Sequence, residues 1–377
     1  MTRICYIADA NSVHTRRWIA PLVEQGCEVH LLSFRPVRQA FAGVTVVDLT
    51  RVFNTPKLRF AYWGWWIHRY LKRVDPDILH AHQLTGAGWL GVLARRHPFI
   101  VSAWGSDLLV EPQRSRFRRL LLQRVLRACD ALTAPSRTTL DAAEALGVPA
   151  RKLHLIPWGI ETGVFRPEPA DRAQTREQLG LAATARIVLC TRALTPLYNL
   201  HVLLAAFAPV CRQLPDSRLV LLRYNADAGY ADTLEKRAAA LGLAEKVLWL
   251  PAQPSLEAMA RLYRAADLTV SIPASEGYGF SVLEAMACGC PTLISDLPVF
   301  DPELAQGVHT IKVPVGDQQQ TSAGLLDLLE NQPLRERLSR EGLAIVRGQG
   351  VEVRLQQVAR LYAAATGDAR ATAGAAP

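Results

Sequence analysis

The chain has 377 residues, half of them hydrophobic and a fifth charged, with a net charge of +9. That balance excludes a disordered or fibrous chain, and no apolar run reaches the roughly 18–20 residues of a membrane-spanning helix. The seven cysteines form no CxxC pair and no disulfide-like spacing, and the opening MTRICYIADANS lacks the apolar core of a signal peptide. The expected compartment is therefore the reducing cytoplasm, and the length suggests two domains.

In chain order, RICYIA (Arg3–Ala8) reads as a strand and residues 14–25 as a helix ended by Gly26. EVHLLS (Glu28–Ser33) is the next strand, and residues 77–82, 99–103 and 131–134 follow as further strands. Residues 114–129 and 138–146 read as helices. After a linker near 165–185 the alternation resumes, with strands at 186–190, 219–222, 247–250 and 268–272. Helices separate them at 200–210, 232–241, 256–265 and 281–288. Strand–helix alternation of this kind predicts parallel sheets covered by helices, here as two similar α/β domains facing across a cleft. The expected division is 1–168 and 169–366, with the last helix packing back on the first domain and residues 367–377 a disordered tail.

The excess charge lies on one side. Residues 1–165 carry 22 Lys and Arg against 12 Asp and Glu, and the remainder 21 against 22. A basic first half points to an anionic partner there. The stretch RFAYWGWWIHRYLKR (59–73) mixes aromatic and basic residues, and 114–127 carries six arginines, with Phe117, Leu121 and Val125 on one face. Two readings stay open: contact with an anionic membrane surface, or helices with an aromatic core stripe and a solvated basic rim. Nucleic acid would satisfy the charge, but no nucleic-acid motif accompanies it.

The densest chemistry is SEGYGFSVLEAMACGCP, residues 275–291. A strand, a glycine-rich loop and a helix start follow one another, and the loop lies where open α/β sheets bind ligands. The helix head offers free N–H groups and a positive dipole end, a natural anion site. Gly277 and Gly279 let a ligand approach the backbone. Glu276 and Glu284 flank the turn, and carboxylates accept hydrogen bonds from hydroxyls. A diphosphate at the helix head would place one near each of its substituents. Ser281-x-x-Glu284 also reads as a capping box, which by itself would account for Glu284.

This stretch resembles the Glu-x7-Glu hallmark of the family-4, or group 1, retaining glycosyltransferases, which have the two-domain GT-B fold. VHTRRWIAPLVEQGCEVHLLS, PDILHAH, FIVSAWGSDLL, ACDALTAPS, LHLIPWGIETGVFRP and SLEAMARLYRAADLTVSIPAS are similar to further family segments, in the family's order. The resemblance implies that Glu276 meets the donor sugar and Glu284 the ribose, with Gly279, Phe280, Ser281 and Val282 offering backbone to phosphate and sugar, and Gly277 and Tyr278 completing the loop. It implies a nucleotide-diphosphate sugar (UDP or GDP) as donor, a glycan or lipid-linked acceptor, and neither cofactor nor metal. Arg192 fits the arginine of the family's basic pair. The lysine is absent, with Tyr198 and Asn199 near its place, and Arg223 is a replacement cation or a surface arginine. Where many members have a histidine near the donor sugar, this chain has Trp104, with Asp107 retained, which makes His14 the next candidate. The implied reaction is a front-face substitution in which the leaving diphosphate accepts the acceptor's proton. The two departures leave a second possibility, a sugar-nucleotide or glycan-binding protein without turnover.

Other signals weigh less. GAGWLG (Gly86–Gly91), with Asp107 about 20 residues on, matches a dinucleotide fingerprint and would propose an NAD-dependent oxidoreductase. Asp75-Pro76-Asp77 matches a metal motif but falls in a Pro-marked turn. His80 and His82 share a strand face without an evident third ligand. Cys288-Gly289-Cys290 reads as small-residue packing.

Overall fold

The computed structural model describes residues 2–56, 58–301 and 303–367, with Ala228 described by its backbone alone. From residue 368 on, the expected disordered tail lies outside the described residues. The chain divides into two compact units, one built from the chain up to Trp158 and again from Glu352, the other from Gly159–Val351. The division expected after residue 168 thus falls ten residues earlier, because Ile160 and Phe165 are buried in the core of the second unit.

The first unit is a seven-stranded parallel sheet: β1 (Arg3–Ala8), β2 (Glu28–Ser33), β3 (Val44–Asp48), β4 (Ile78–His82), β5 (Phe99–Ser102), β6 (Ala131–Ala134) and β7 (Leu153–Leu155), in the order β3-β2-β1-β4-β5-β6-β7. The inner strands are near-continuous apolar runs because helices cover both faces. The Arg59–Val74, Ala87–Ala94 and Arg116–Ala128 helices bury one face, and Val13–Glu24 with the C-terminal Val351–Thr366 helix buries the other. The last helix is tied in through Tyr362, whose hydroxyl lies 2.5 Å from that of Tyr6 and 2.7 Å from Nδ1 of His80.

The sequence expected one helix over 114–129. There are two, Glu111–Arg114 and Arg116–Ala128, because Ser115 is extended and its hydroxyl caps the second by accepting from the Arg118 N–H. The buried stripe of the second helix is Leu122, Val125 and Leu126, while Phe117, expected on one face with Leu121 and Val125, is 68% exposed.

The second unit is a six-stranded parallel sheet: β8 (Arg186–Cys190), β9 (Ser217–Arg223), β10 (Val247–Pro251), β11 (Leu268–Ser271), β12 (Thr292–Ser295) and β13 (Ile311–Val313), in the order β10-β9-β8-β11-β12-β13. Both sheets follow one plan. The chain builds outward from a central strand, then returns to that strand's other side. The order therefore reverses between β1 and β4 in the first unit and between β8 and β11 in the second. Crevices beyond the carboxyl ends of strands at such a reversal are where open sheets bind ligands.

Candidate donor site and the edge of the first sheet

In the second unit, the reversal gathers the expected residues. Arg192 follows the end of β8, and Glu276 stands in the loop after β11. One guanidinium nitrogen of Arg192 donates to Glu276 Oε2 at 2.7 Å and the other to Ser281 Oγ at 2.8 Å. The guanidinium lies 4.2 Å from the centre of the Tyr198 ring. Burial works against the charge on Arg192, but Glu276 and Tyr198 outweigh it and raise its pKa. The cation is thus fixed in place at the head of the Phe280–Ala287 helix before any ligand arrives.

Local backbone explains the geometry. Gly279 caps that helix at φ +84°, and a Cβ there would come within 2.4 Å of the Phe300 ring, so glycine is required twice over. The capping-box expectation is overturned. Gly279, not Ser281, is the N-cap, and no side-chain cap bond forms. Ser281 lies inside the first turn and its hydroxyl accepts from Arg192. Glu276 Oε1 accepts from the Gly277 N–H at 2.9 Å, which orients the carboxylate.

Glu284 is buried one turn further on and accepts from the Tyr263 hydroxyl at 3.3 Å. Tyr263 in turn lies 3.1 Å from Thr191 Oγ1, so the Leu256–Ala265 helix holds Glu284 beside β8. Burial first, and then the Glu284 charge, push the Tyr263 phenol well up, keeping it a hydrogen-bond donor. Tyr278 reaches Gln349 through its hydroxyl, and Phe280 meets the Tyr278 ring edge-on. Val282 is buried against the sheet.

Asn199 has another task. Its left-handed backbone (φ +53°) turns the chain into the Leu200–Gln213 helix, and its amide donates to the Ile272 carbonyl at 3.1 Å. It clamps the loop after β8 to the end of β11. Arg223 ends β9 exposed, paired with Glu235 at 2.5 Å and stacked on Trp249 at 5.6 Å. The structure does not bring it into the Arg192 cluster.

The remaining two expected residues lie at the reversal in the first sheet. His14, in the first turn of the Val13–Glu24 helix, meets Trp104 at 5.5 Å and Trp158 at 4.6 Å, ring to ring. Asp107 is buried, and its oxygens accept from the Leu84 and Trp104 N–H groups at 3.0 Å each. Burial raises its pKa against the pull of those bonds. Asp107 joins the loops after β4 and β5 and sets the position of Trp104.

The glycine fingerprint at 86–91 has a packing explanation. A Cβ at Gly88 would meet Val125 at 2.9 Å, and one at Gly91 the Phe99 ring at 2.3 Å. These glycines bring the Ala87–Ala94 helix against its neighbours, and Asp107 is engaged elsewhere. Asp75 pairs with Arg96, and Asp77 accepts from the Arg3 N–H. Cys288 and Cys290 are buried, with Cys290 against Thr269. No group of three metal-ligating side chains occurs among the described residues, nor any helix there long and apolar enough to cross a membrane.

Comparison with known proteins gives this geometry a family. Residues 171–344 match the family described as glycosyl transferases group 1, and residues 3–136 the glycosyl transferase 4-like family. A D-inositol 3-phosphate glycosyltransferase from Nocardia farcinica is 30% identical over 369 residues, covering 90% of this chain and 80% of that protein. Its counterpart from Segniliparus rotundus is 32% identical over 196 residues, 52% of this chain and 43% of that protein, so there the match spans less than half of the relative. A GDP-mannose-dependent phosphatidylinositol monomannoside mannosyltransferase from Mycolicibacterium smegmatis is 33% identical over 46% of each chain. Among solved structures, Anabaena HepE in complex with UDP and glucose superposes with a TM-score of 0.81 at 20% identity, covering 97% of this chain and all of that one. Sucrose-phosphate synthase from Thermosynechococcus elongatus gives 0.80 at 20% identity, over 96% of this chain and 98% of its own. These neighbours share the GT-B fold, and by sequence the chain belongs to the group 1 glycosyltransferases.

Proposed function

We propose that this chain transfers a hexose from UDP- or GDP-sugar to a glycan or lipid-linked acceptor, with retention of anomeric configuration, in cell-envelope polysaccharide or glycolipid synthesis. The observation that carries the reading is the Arg192–Glu276–Ser281 cluster at the head of the Phe280–Ala287 helix, at the strand-order reversal of the second sheet. A diphosphate there takes N–H groups from the helix head and from Arg192, which is already held in position. As the glycosidic bond lengthens, negative charge grows on the leaving phosphate oxygen, and a fixed cation stabilises it without reorganising. That oxygen takes the proton of the incoming hydroxyl on the same face. Glu276 meets the donor sugar and Glu284 the ribose. The charge is handled without a metal in this reading, so chelation by EDTA leaves the rate unchanged.

The acceptor reading draws on relatives named for inositol 3-phosphate and for a phosphatidylinositol monomannoside. It also draws on the surface of the first unit. Phe117 and Leu120 are 68% and 64% exposed within the arginine run at 114–127, and Trp65, 52% exposed on another helix, lies against Arg69. Such a mixture suits peripheral contact with anionic lipid on the cytoplasmic face.

The test is incubation with each sugar nucleotide and a lipid or glycan acceptor extract, followed by NMR of the product's anomeric carbon. Retention is the expected result. Inversion overturns the mechanism. The competing reading, a binding protein without turnover, is favoured by Trp104 in place of a histidine, and it predicts donor binding with neither transfer nor slow donor hydrolysis.

A further inference from the structure

The second unit holds a cavity that the transferase reading leaves unused. It encloses about 340 Å³, and its wall includes Arg172, Asp267, Cys288, Gln332, Arg335 and Ser339. That volume lies within the roughly 300–1,000 Å³ of small-molecule sites. Asp267 stands immediately before β11, whereas Glu276 and Ser281 follow that strand. The cavity is therefore at the amino end of the sheet, opposite the end that carries the Arg192 cluster.

Its charges are unequal. Three guanidinium groups line it, those of Arg172, Arg264 and Arg335, against the carboxylates of Asp267 and Glu336. The fold already employs two of the three. Arg264 donates to the Val164 and Arg166 carbonyls and pairs with Asp171. Arg172 caps the Leu256–Ala265 helix through the Arg264 and Ala266 carbonyls and pairs with Asp267. Asp267 also accepts from Arg176 at 2.9 Å and from the Ile187 N–H at 2.7 Å, so two cations cover its one charge. Glu336 is exposed and accepts from the Gln332 amide at 2.8 Å.

Arg335 is different. It lies half-buried on the Gln332–Val346 helix, donates through Nη1 to the Leu328 carbonyl at 2.6 Å, and has no ion pair among the described residues. Most of its N–H fork is unused. Gln332 and Ser339 stand three residues before it and four after it, so all three share one helix face. The Ser339 hydroxyl makes no hydrogen bond among the described residues, and it lies against the turn at Gly289, where a Cβ would come within 3.3 Å of it. An unpaired guanidinium matches the oxygens of a phosphate two at a time. A hydroxyl and an amide beside it suit the hydroxyls of an attached polyol or sugar, for which the cavity has room beyond the phosphate itself.

We propose that this cavity is a second ligand site, in which Arg335 binds the phosphate group of a small phosphate monoester and Gln332 and Ser339 meet its hydroxylated body. The proposal goes beyond the transferase reading and does not depend on it.

The experiment is calorimetric titration of the full chain with glucose 6-phosphate, inorganic phosphate and glucose as separate probes, with UDP and then GDP present in excess to fill the donor site. Glucose 6-phosphate is expected to bind under these conditions and glucose is not. Tighter binding of the ester than of inorganic phosphate assigns the site to a monoester, and equal binding assigns it to the free ion, with the role of Arg335 kept in both cases. Arg335→Ala is expected to weaken binding by about tenfold or more, the scale of one charged hydrogen bond. Arg335→Lys should recover part of the loss. Gln332→Glu, at an exposed position, adds a like charge and should weaken binding without lowering the melting temperature. No binding of either phosphate probe, binding that the nucleotides abolish, or binding unchanged in Arg335→Ala overturns the proposal. Nucleotide binding is measured on the same proteins and is expected to be equal in all of them. A wild type that binds the ester but neither UDP nor GDP would sink the transferase reading and leave the second site standing, and the reverse would sink the second site alone.

Discussion

The two sheets reverse strand order in the same way and put opposite chemistry at the reversal. In the second unit the edge carries charge: Arg192 locked to Glu276, with Glu284 buried one helical turn away. In the first unit it carries rings: His14, Trp104, Trp158 and the buried imidazole of His82. A shared topology therefore supplies the location of a crevice but not its ligand. The ligand is set by the side chains placed at the reversal, charged in one unit and aromatic in the other.

The largest predicted effect is at the charged edge. Arg192→Ala should lower kcat/KM for transfer by about a thousandfold, the scale of losing a main stabiliser of transition-state charge. It should also lower the melting temperature, since Glu276 would be left nearly buried and unpaired. Arg192→Lys, which keeps the charge and loses the fork, should recover only part of the rate. Steady-state kinetics checks both, and a loss under about tenfold for the alanine variant would break the contrast between the two edges.

Next in size are the carboxylates. Glu276→Ala and Glu284→Ala each remove a charged hydrogen-bond acceptor, and donor binding should weaken by about 10–100-fold. Calorimetric titration with the sugar nucleotide measures it. At the exposed apolar and arginine-rich surface of the first unit, for which membrane contact is proposed, Phe117→Asp combined with Leu120→Asp should lower partition onto vesicles containing anionic lipid by about tenfold or more, from lost apolar insertion and added like charge. Donor binding should be untouched. Sedimentation with vesicles reports the first and calorimetry the second.

The smallest effect is an acid dependence at the ring-lined edge. Burial, then the charges of Arg354 and His14, push the His82 pKa from 6.5 down to about 3. Between those values the unfolded chain holds a proton that the folded chain refuses. Stability is therefore full above about pH 6.5 and falls as pH drops toward 3. His82→Phe should show a shallower fall in melting temperature over that range. A residual slope remains from other groups whose pKa the fold lowers, among them His80, His154 and His201, each through burial.

Much of this was legible in the sequence, for physical reasons that also mark where it stopped. Parallel strands buried on both faces are continuous apolar runs, so β1, β2, β6 and β8 could be read to the residue. The edge strand β3 and the short β7, β12 and β13, three or four residues each, carry little of that signal and went unread. Glu276 and Ser281 were readable because a turn, a helix head and two carboxylates leave a local pattern, whereas Arg192, distant in sequence, was reached only through the resemblance to the group 1 glycosyltransferases. That Ser281 serves Arg192 and not a helix cap was not readable, since positive φ at Gly279 moves the cap by two residues. Arg223 was ambiguous because a strand-end position does not say which way a guanidinium turns. His82 was noted only as half of a pair. Its surroundings are side chains from β1, the loop after β5 and the Val13–Glu24 helix, which only the fold brings together.

The most direct test of the account is thermal denaturation of the wild type, Glu276→Ala and Glu284→Ala against UDP-, GDP-, ADP- and dTDP-sugars, with NAD and NADP alongside. A ligand of the native state raises the melting temperature by mass action. The account predicts a rise with a UDP- or GDP-sugar that shrinks in both variants. A rise with NAD alone, or a sugar-nucleotide effect indifferent to both glutamates, would contradict it.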